Sequence, residues 1–157
     1  MILALLAVAL FPLPEAAPQS APQAAPPAMT QAALDVWIEQ TLELDGWTVL
    51  AADQVAVALG ESAGVTRDGD IVTALIRHEY YAPLEIGGYR SSSNLQRREL
   101  DCVNLRHRTL EMTLYRDNNL KEQLASRRMD DAEWQATSPN SVARTVMERA
   151  CSGTRLQ

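Results

Sequence analysis

The sequence predicts an α+β domain: a six-stranded antiparallel β-sheet with a C-terminal helix tethered across one face by a disulfide, preceded by a short N-terminal helix. Three observations predict it. From Trp47 onward, short segments with apolar residues at period two are separated by Gly, Asp and Asn clusters, the pattern of strands and turns. After Ser138 the period lengthens to that of a helix. The two cysteines, Cys102 and Cys151, fall at the end of a predicted strand and in that last helix.

The chain has 157 residues and a formal net charge of −6, enough for one domain with a modest core. The charge is unevenly placed. The first 66 residues hold seven acids and no Lys or Arg, whereas the remainder holds 14 bases against 13 acids. Residues 2–11 form an apolar run about half as long as a membrane span needs. That length suits the hydrophobic core of a secretory signal peptide, ending near residue 17. No Cys lies near its end, which disfavours a lipid-anchored precursor. Residues 18–29 continue a Pro, Ala and Gln-rich stretch without aromatics. Such a segment buries too little apolar surface to offset its ordering entropy and reads as an extended linker. The sequence therefore predicts an exported protein of the periplasm or cell surface, with no stable membrane insertion of the mature chain.

Residues 30–45 place Ala33, Leu34, Trp37, Ile38, Thr41 and Leu42 at helical spacing, with Thr30 as N-cap and Asp45-Gly46 as the stop. The opposite face is acidic through Asp35, Glu39 and Glu43. Trp37 is the residue through which this helix would dock, on the sheet or on a second chain as a homodimer. Strands are predicted over 47–51 and 54–59, then over 70–81 after a tight turn at Asp68-Gly69, which favours a hairpin. Residues 83–88 read as a loop because of Pro83 and Gly87-Gly88. Strands over 89–102, 106–116 and 120–129 complete the meander, the last two joined by Asp117-Asn118-Asn119. In the fifth strand Leu110, Met112 and Leu114 alternate with Thr109, Glu111, Thr113 and Tyr115. The final helix takes Ser138 as cap and Pro139 as its first residue, buries Val142, Val146 and Ala150, and stops at Gly153.

An even cysteine count in an exported chain makes a disulfide between Cys102 and Cys151 the default. Closing a loop of about 50 residues stabilises the fold by roughly 4 kcal/mol in the chain-entropy model. A zinc site would need His78 and His107 as further ligands, and none of the four stands at short ligand spacing from another. No metal and no cofactor is expected. Nor is a phosphate-binding glycine loop or a triad signature present. His78 and Glu79, followed by Tyr80 and Tyr81, suggest a polar strand end rather than a catalytic pair, since no nucleophile is placed beside them. The candidate binding surface is the Arg-rich part of the sheet: Arg90, Arg106, Arg108 and Arg116, with Tyr89. Strand alternation puts Arg106, Arg108 and Arg116 on one side. Such a face suits a protein or an acidic polymer partner; nucleic acid is disfavoured by export and overall acidity. The competing reading has arginines pairing across strands with Glu99, Asp101, Glu111 and Glu122.

Trp47-Thr48-Val49-Leu50, Gly87-Gly88-Tyr89-Arg90-Ser91, Glu99-Leu100-Asp101-Cys102, Trp134, Ser138-Pro139-Asn140-Ser141 and Cys151 follow one another in an order and spacing that resemble the surface-adhesin protein E family. The resemblance covers residues 46–152. It implies an antiparallel sheet with a disulfide-tied C-terminal helix, an envelope location, and a non-enzymatic binding or adhesion role, the founding type being an adhesin for host matrix proteins. The alternative is a periplasmic structural or stress-related protein of unknown ligand. Residues 30–45 lie outside the resemblance.

Overall fold

A computed structural model describes residues 30–61 and 63–152. The signal peptide, the linker and the Gly153 stop lie outside the described residues. The elements are α1 (Gln31–Thr41), β1 (Trp47–Ala52), β2 (Ala56–Glu61), β3 (Thr66–Asp68), β4 (Ile71–Ile86), β5 (Tyr89–Asp101), β6 (Arg106–Asp117), β7 (Lys121–Arg128), β8 (Gln135–Ala136) and α2 (Val142–Cys151). One antiparallel sheet runs in the order β1-β2-β4-β5-β6-β7, with β3 on β4 and β8 on β6. Among the described residues the strands number eight where the period-two pattern predicted six. β3 and β8 have three and two residues, too few for alternation to register; they exist because the chain runs beside β4 and β6.

Local chemistry sets the turns. Asp53 Oδ1 accepts the backbone N–H groups of Val55 and Ala56 at 2.7 and 2.9 Å, closing the β1–β2 connection as an Asx turn. Gly87 and Gly88 both take positive φ, 59° and 83°, as a two-residue hairpin between β4 and β5 requires. β4 does not end at Tyr81 before a loop over residues 83–88, as expected, but continues to Ile86. Its register against β5 shifts between Glu79 and Leu84. Pro83 sits in that irregular stretch, where a missing N–H costs no ladder bond.

The core lies between α2 and one face of the sheet. Val146, Met147 and Ala150 pack on Leu50, Ala58, Val72, Ala74, Ile76 and Leu100. α2 starts three residues later than expected. Its N-cap is Ser141, whose hydroxyl accepts Arg144 N–H at 3.2 Å; Asn140 before it takes φ 59°, breaking any helix begun at Pro139. Cys151 is bonded to Cys102, with the Cα atoms 5.7 Å apart and a sequence separation of 49. The bond fixes the helix end at the β5–β6 turn, so the helix cannot lift off the sheet.

The opposite face carries α1. Leu34, Trp37, Ile38, Thr41 and the C-cap Leu42 are half-buried, as the stripe read from the sequence expects, whereas Ala33 of that stripe is exposed. The helix ends at Thr41, earlier than Leu44. Side chains of the β6–β7 turn and of β4 take carbonyls at and just past its end: Asn119 donates to Thr41 O at 2.8 Å, and Arg77 to Glu43 O at 2.9 Å. Trp37 meets Tyr81 edge to face at 4.9 Å. Its docking surface is thus the chain's own sheet.

Beneath the end of α1 lies a buried polar network. Arg77 and Glu79 are 2% and 0% exposed and paired at 2.5 Å. Asn118 and the backbone N–H of Asn119 donate to the Glu79 carboxylate at 2.7 and 2.9 Å. Burial pushes the Glu79 carboxyl up, opposed by Asn118 and by the charge of Arg77. A lone buried charge would cost several kcal/mol, so each member is held in place by the rest.

Candidate functional site

Arg106 and Arg108 stand two residues apart on β6, opposite Asp101 and Glu99 of β5. Cross-strand neighbours share a face, which brings base and acid into contact. Arg106 Nε lies 2.8 Å from Asp101 Oδ2, and Arg108 2.6 Å from Glu99 Oε2. The two guanidinium groups also lie 5.1 and 4.7 Å from the ring of Trp134, within cation–π range. Trp134 directly precedes β8, whose Ala136 and Gln135 pair with Arg106 and His107. This short ladder carries the indole to the two arginines.

Asp101 anchors the group. Its carboxylate accepts the backbone N–H and side-chain amide of Asn104 at 3.0 and 2.8 Å. These bonds, with Arg106 beside them, hold the carboxyl at about 2. It is therefore ionised throughout the physiological range. The result is a half-exposed aromatic ring with two arginines fixed against it, a composition enriched at protein-binding hot spots.

The five candidates do not form one surface. Between Arg98↔Thr109 and Arg97↔Glu111 the register skips Leu110 on β6. Because alternation has period two, one extra residue reverses the side on which all later side chains project. Arg106 and Arg108 share the face of Glu99 and Asp101, whereas Arg116 falls on the face of Met112 and Leu114. Arg116 also sits ten residues along the strand, roughly 30 Å away, paired with Glu122. Tyr89 and Arg90 are exposed at the Gly87-Gly88 hairpin, with Arg90 opposite Glu85 in register. Arg97 pairs with Glu111 at 3.5 Å. Arg97, Arg106, Arg108 and Arg116 are thus matched by Glu111, Asp101, Glu99 and Glu122. Trp134, the indole between Arg106 and Arg108, was not among the candidate binding residues. A tryptophan in the polar stretch 130–138 was the available signal.

His78 and Glu79 project to opposite faces, as adjacent strand residues must. His78 Nδ1 lies 3.2 Å from Asn94 Oδ1, and Asn94 also donates to the Tyr80 hydroxyl. Burial, and then the charge of Arg98, pull the imidazole down to about 4. It is a neutral structural group at pH 7, while Glu79 is occupied by Arg77 and Asn118. Among the described residues no three His, Cys, Asp or Glu side chains cluster to hold a metal, and no helix is long and apolar enough to cross a membrane.

The family model described as Surface-adhesin protein E matches residues 47–152. Among solved structures the chain is similar to two of Haemophilus influenzae protein E. Crystal form II gives a TM-score of 0.55 at 14% identity, covering 71% of this chain and 95% of that one. The other gives 0.52 at 15% identity, covering 71% and 88%. At such identity the likeness speaks for the fold. No curated protein matches the sequence significantly.

Proposed function

The chain belongs to the surface-adhesin protein E family, and from that premise we propose that it is an exported, non-enzymatic binding module of the bacterial envelope, displayed at the cell surface, whose contact patch is Arg106, Trp134 and Arg108. The stacking of both guanidinium groups on one indole carries the choice of patch. Planar cations held by Glu99, Asp101 and the ring lose little side-chain entropy on binding. They keep N–H donors for carboxylates on a protein partner. The surrounding acids leave the patch nearly neutral overall, so it selects by geometry rather than by long-range attraction. The apolar run at residues 2–11 supports export.

Two measurements test this. Protease added to intact cells should digest the protein, whereas protection until the outer membrane is opened would place it in the periplasm. Cells displaying the triple variant Arg106→Ala, Arg108→Ala and Trp134→Ala should adhere to immobilised extracellular-matrix protein at least about tenfold less than wild type, the scale of losing hot-spot residues. Equal adherence with the folded variant present at the surface would remove the patch from consideration.

A further inference from the structure

α2 covers β1, β2 and β4, and the same face of the sheet continues across β5, β6 and β7 beyond the helix. A cavity of about 710 Å³ opens there, lined by Gln96, Arg98, His107, Thr109, Met112 and Arg127 and walled by the segment after β7. A mainly apolar cavity of about 360 Å³ adjoins it, sharing Met112, Arg127 and Met129 and reaching Leu114 and Tyr89.

Arg98 distinguishes this place from the rest of the sheet. Its neighbour Arg97 and the β6 arginines Arg106, Arg108 and Arg116 each face an acid within ion-pair distance. Half-buried Arg98 has no ion pair among the described residues; its Nε donates to Oε1 of buried Gln96 at 2.7 Å. Burial pulls its guanidinium down to about 10, so it stays charged at neutral pH. A desolvated cation without a counter-charge is costly. Beside it His107 Nδ1 is buried with no hydrogen-bond partner, and burial together with the charge of Arg98 keeps that ring neutral. Three acids, Asp130, Asp131 and Glu133, line the cavity from the segment after β7. Asp130 lies 3.6 Å from Arg128, and none of the three pairs with Arg98.

We propose that this cavity binds a small organic monocarboxylate, its carboxylate held by the free Nη edge of Arg98 beside His107 and its apolar body lying over Met112 toward Leu114. Arg98 is the cation of this lining withdrawn from solvent and suits one negative charge, while exposed Arg127 and Arg128 are outnumbered at the rim by Asp130, Asp131 and Glu133, which repel a dianion. The guanidinium fork matches a planar carboxylate. The adjoining apolar cavity takes the part of the ligand that water rejects.

Titration of octanoate into the full ¹⁵N-labelled chain, followed by NMR, tests the site. Saturable shifts should centre on Gln96, Arg98, His107 and Met112, and octanoate should bind tighter than acetate. Arg98→Met should weaken octanoate at least about tenfold, the effect of losing charge-assisted hydrogen bonds. If Arg98→Met does not fold, Leu114→Glu, placed in the apolar arm, should abolish the preference of octanoate over acetate. The proposal fails if octanoate gives no saturable shift, if a folded Arg98→Met binds it equally, or if inorganic phosphate binds as tightly as octanoate.

Discussion

Acidification below pH 6.5 should destabilise the fold through His78. The imidazole has an ordinary pKa of 6.5, which burial lowers to about 4 in the folded chain. Between those values the unfolded chain holds a proton that the native chain refuses, so stability falls as pH falls. The contribution is complete above pH 6.5. It is diminished by roughly 2 kcal/mol at pH 5 and roughly 3 kcal/mol at pH 4. Against a total of about 5–15 kcal/mol that is a large fraction. His107, also lowered by burial, acts with the same sign, and Glu79, raised by burial, with the opposite one. The variant His78→Gln isolates the residue. Urea denaturation at steps from pH 7 to pH 4 should give wild type a steep loss and His78→Gln a shallower one, the two curves diverging by about 2–3 kcal/mol at pH 4. Parallel curves, or a native His78 resonance that titrates near 6.5, would refute the reasoning.

Four further outcomes are expected. Removing the disulfide with Cys102→Ser and Cys151→Ser together should cost roughly 4 kcal/mol, read as a lower urea midpoint that equals that of reduced wild type. Replacing Glu79 with Ala strands Arg77 as a buried, unpaired cation and should cost about 3–5 kcal/mol, whereas Asn119→Ala, which releases the end of α1, should raise hydrogen exchange in residues 31–41 while the sheet amides of β4 and β5 stay protected. Asp101, held at about 2 against an ordinary 3.8, stabilises the fold above pH 4 and loses that contribution as pH falls toward 2; Asp101→Asn should flatten the acid-denaturation curve in that window.

Much of this molecule follows from local chemistry that a single chain displays. Thr30 caps α1, Val146 and Ala150 seat α2, and Gly87-Gly88 turns the central hairpin, because capping, periodicity and positive φ are properties of a few neighbouring residues. The disulfide was legible for a different reason: two cysteines in a chain whose sequence reads as exported allow one internal pairing. The Asp68-Gly69 turn signalled the hairpin that joins short β3 to β4, whereas β8 and the continuation of β4 past Pro83 were not legible, since each depends on which strand lies alongside.

What the tertiary structure alone decided is where the charges point. The alternation in β6 reads unbroken in the sequence, yet the extra residue at Leu110 reverses it. Arg116 is thereby parted from Arg106 and Arg108, and Trp134, 26 residues beyond Arg108 in sequence, becomes their neighbour. Whether an arginine meets an acid is settled the same way: Arg97 and Arg98 are adjacent in sequence, but one projects toward Glu111 and the other into a cavity where no described acid stands within ion-pair distance of it. The sequence by itself determined the longer elements, the Thr30 cap and the covalent tie, because those rest on contacts a few residues apart or on counting; the α2 cap moved from the expected Ser138 to Ser141. The faces, the buried Arg77–Glu79 pair and the unpaired Arg98 were decided by strand register, which is a relation between distant segments and is written in neither one.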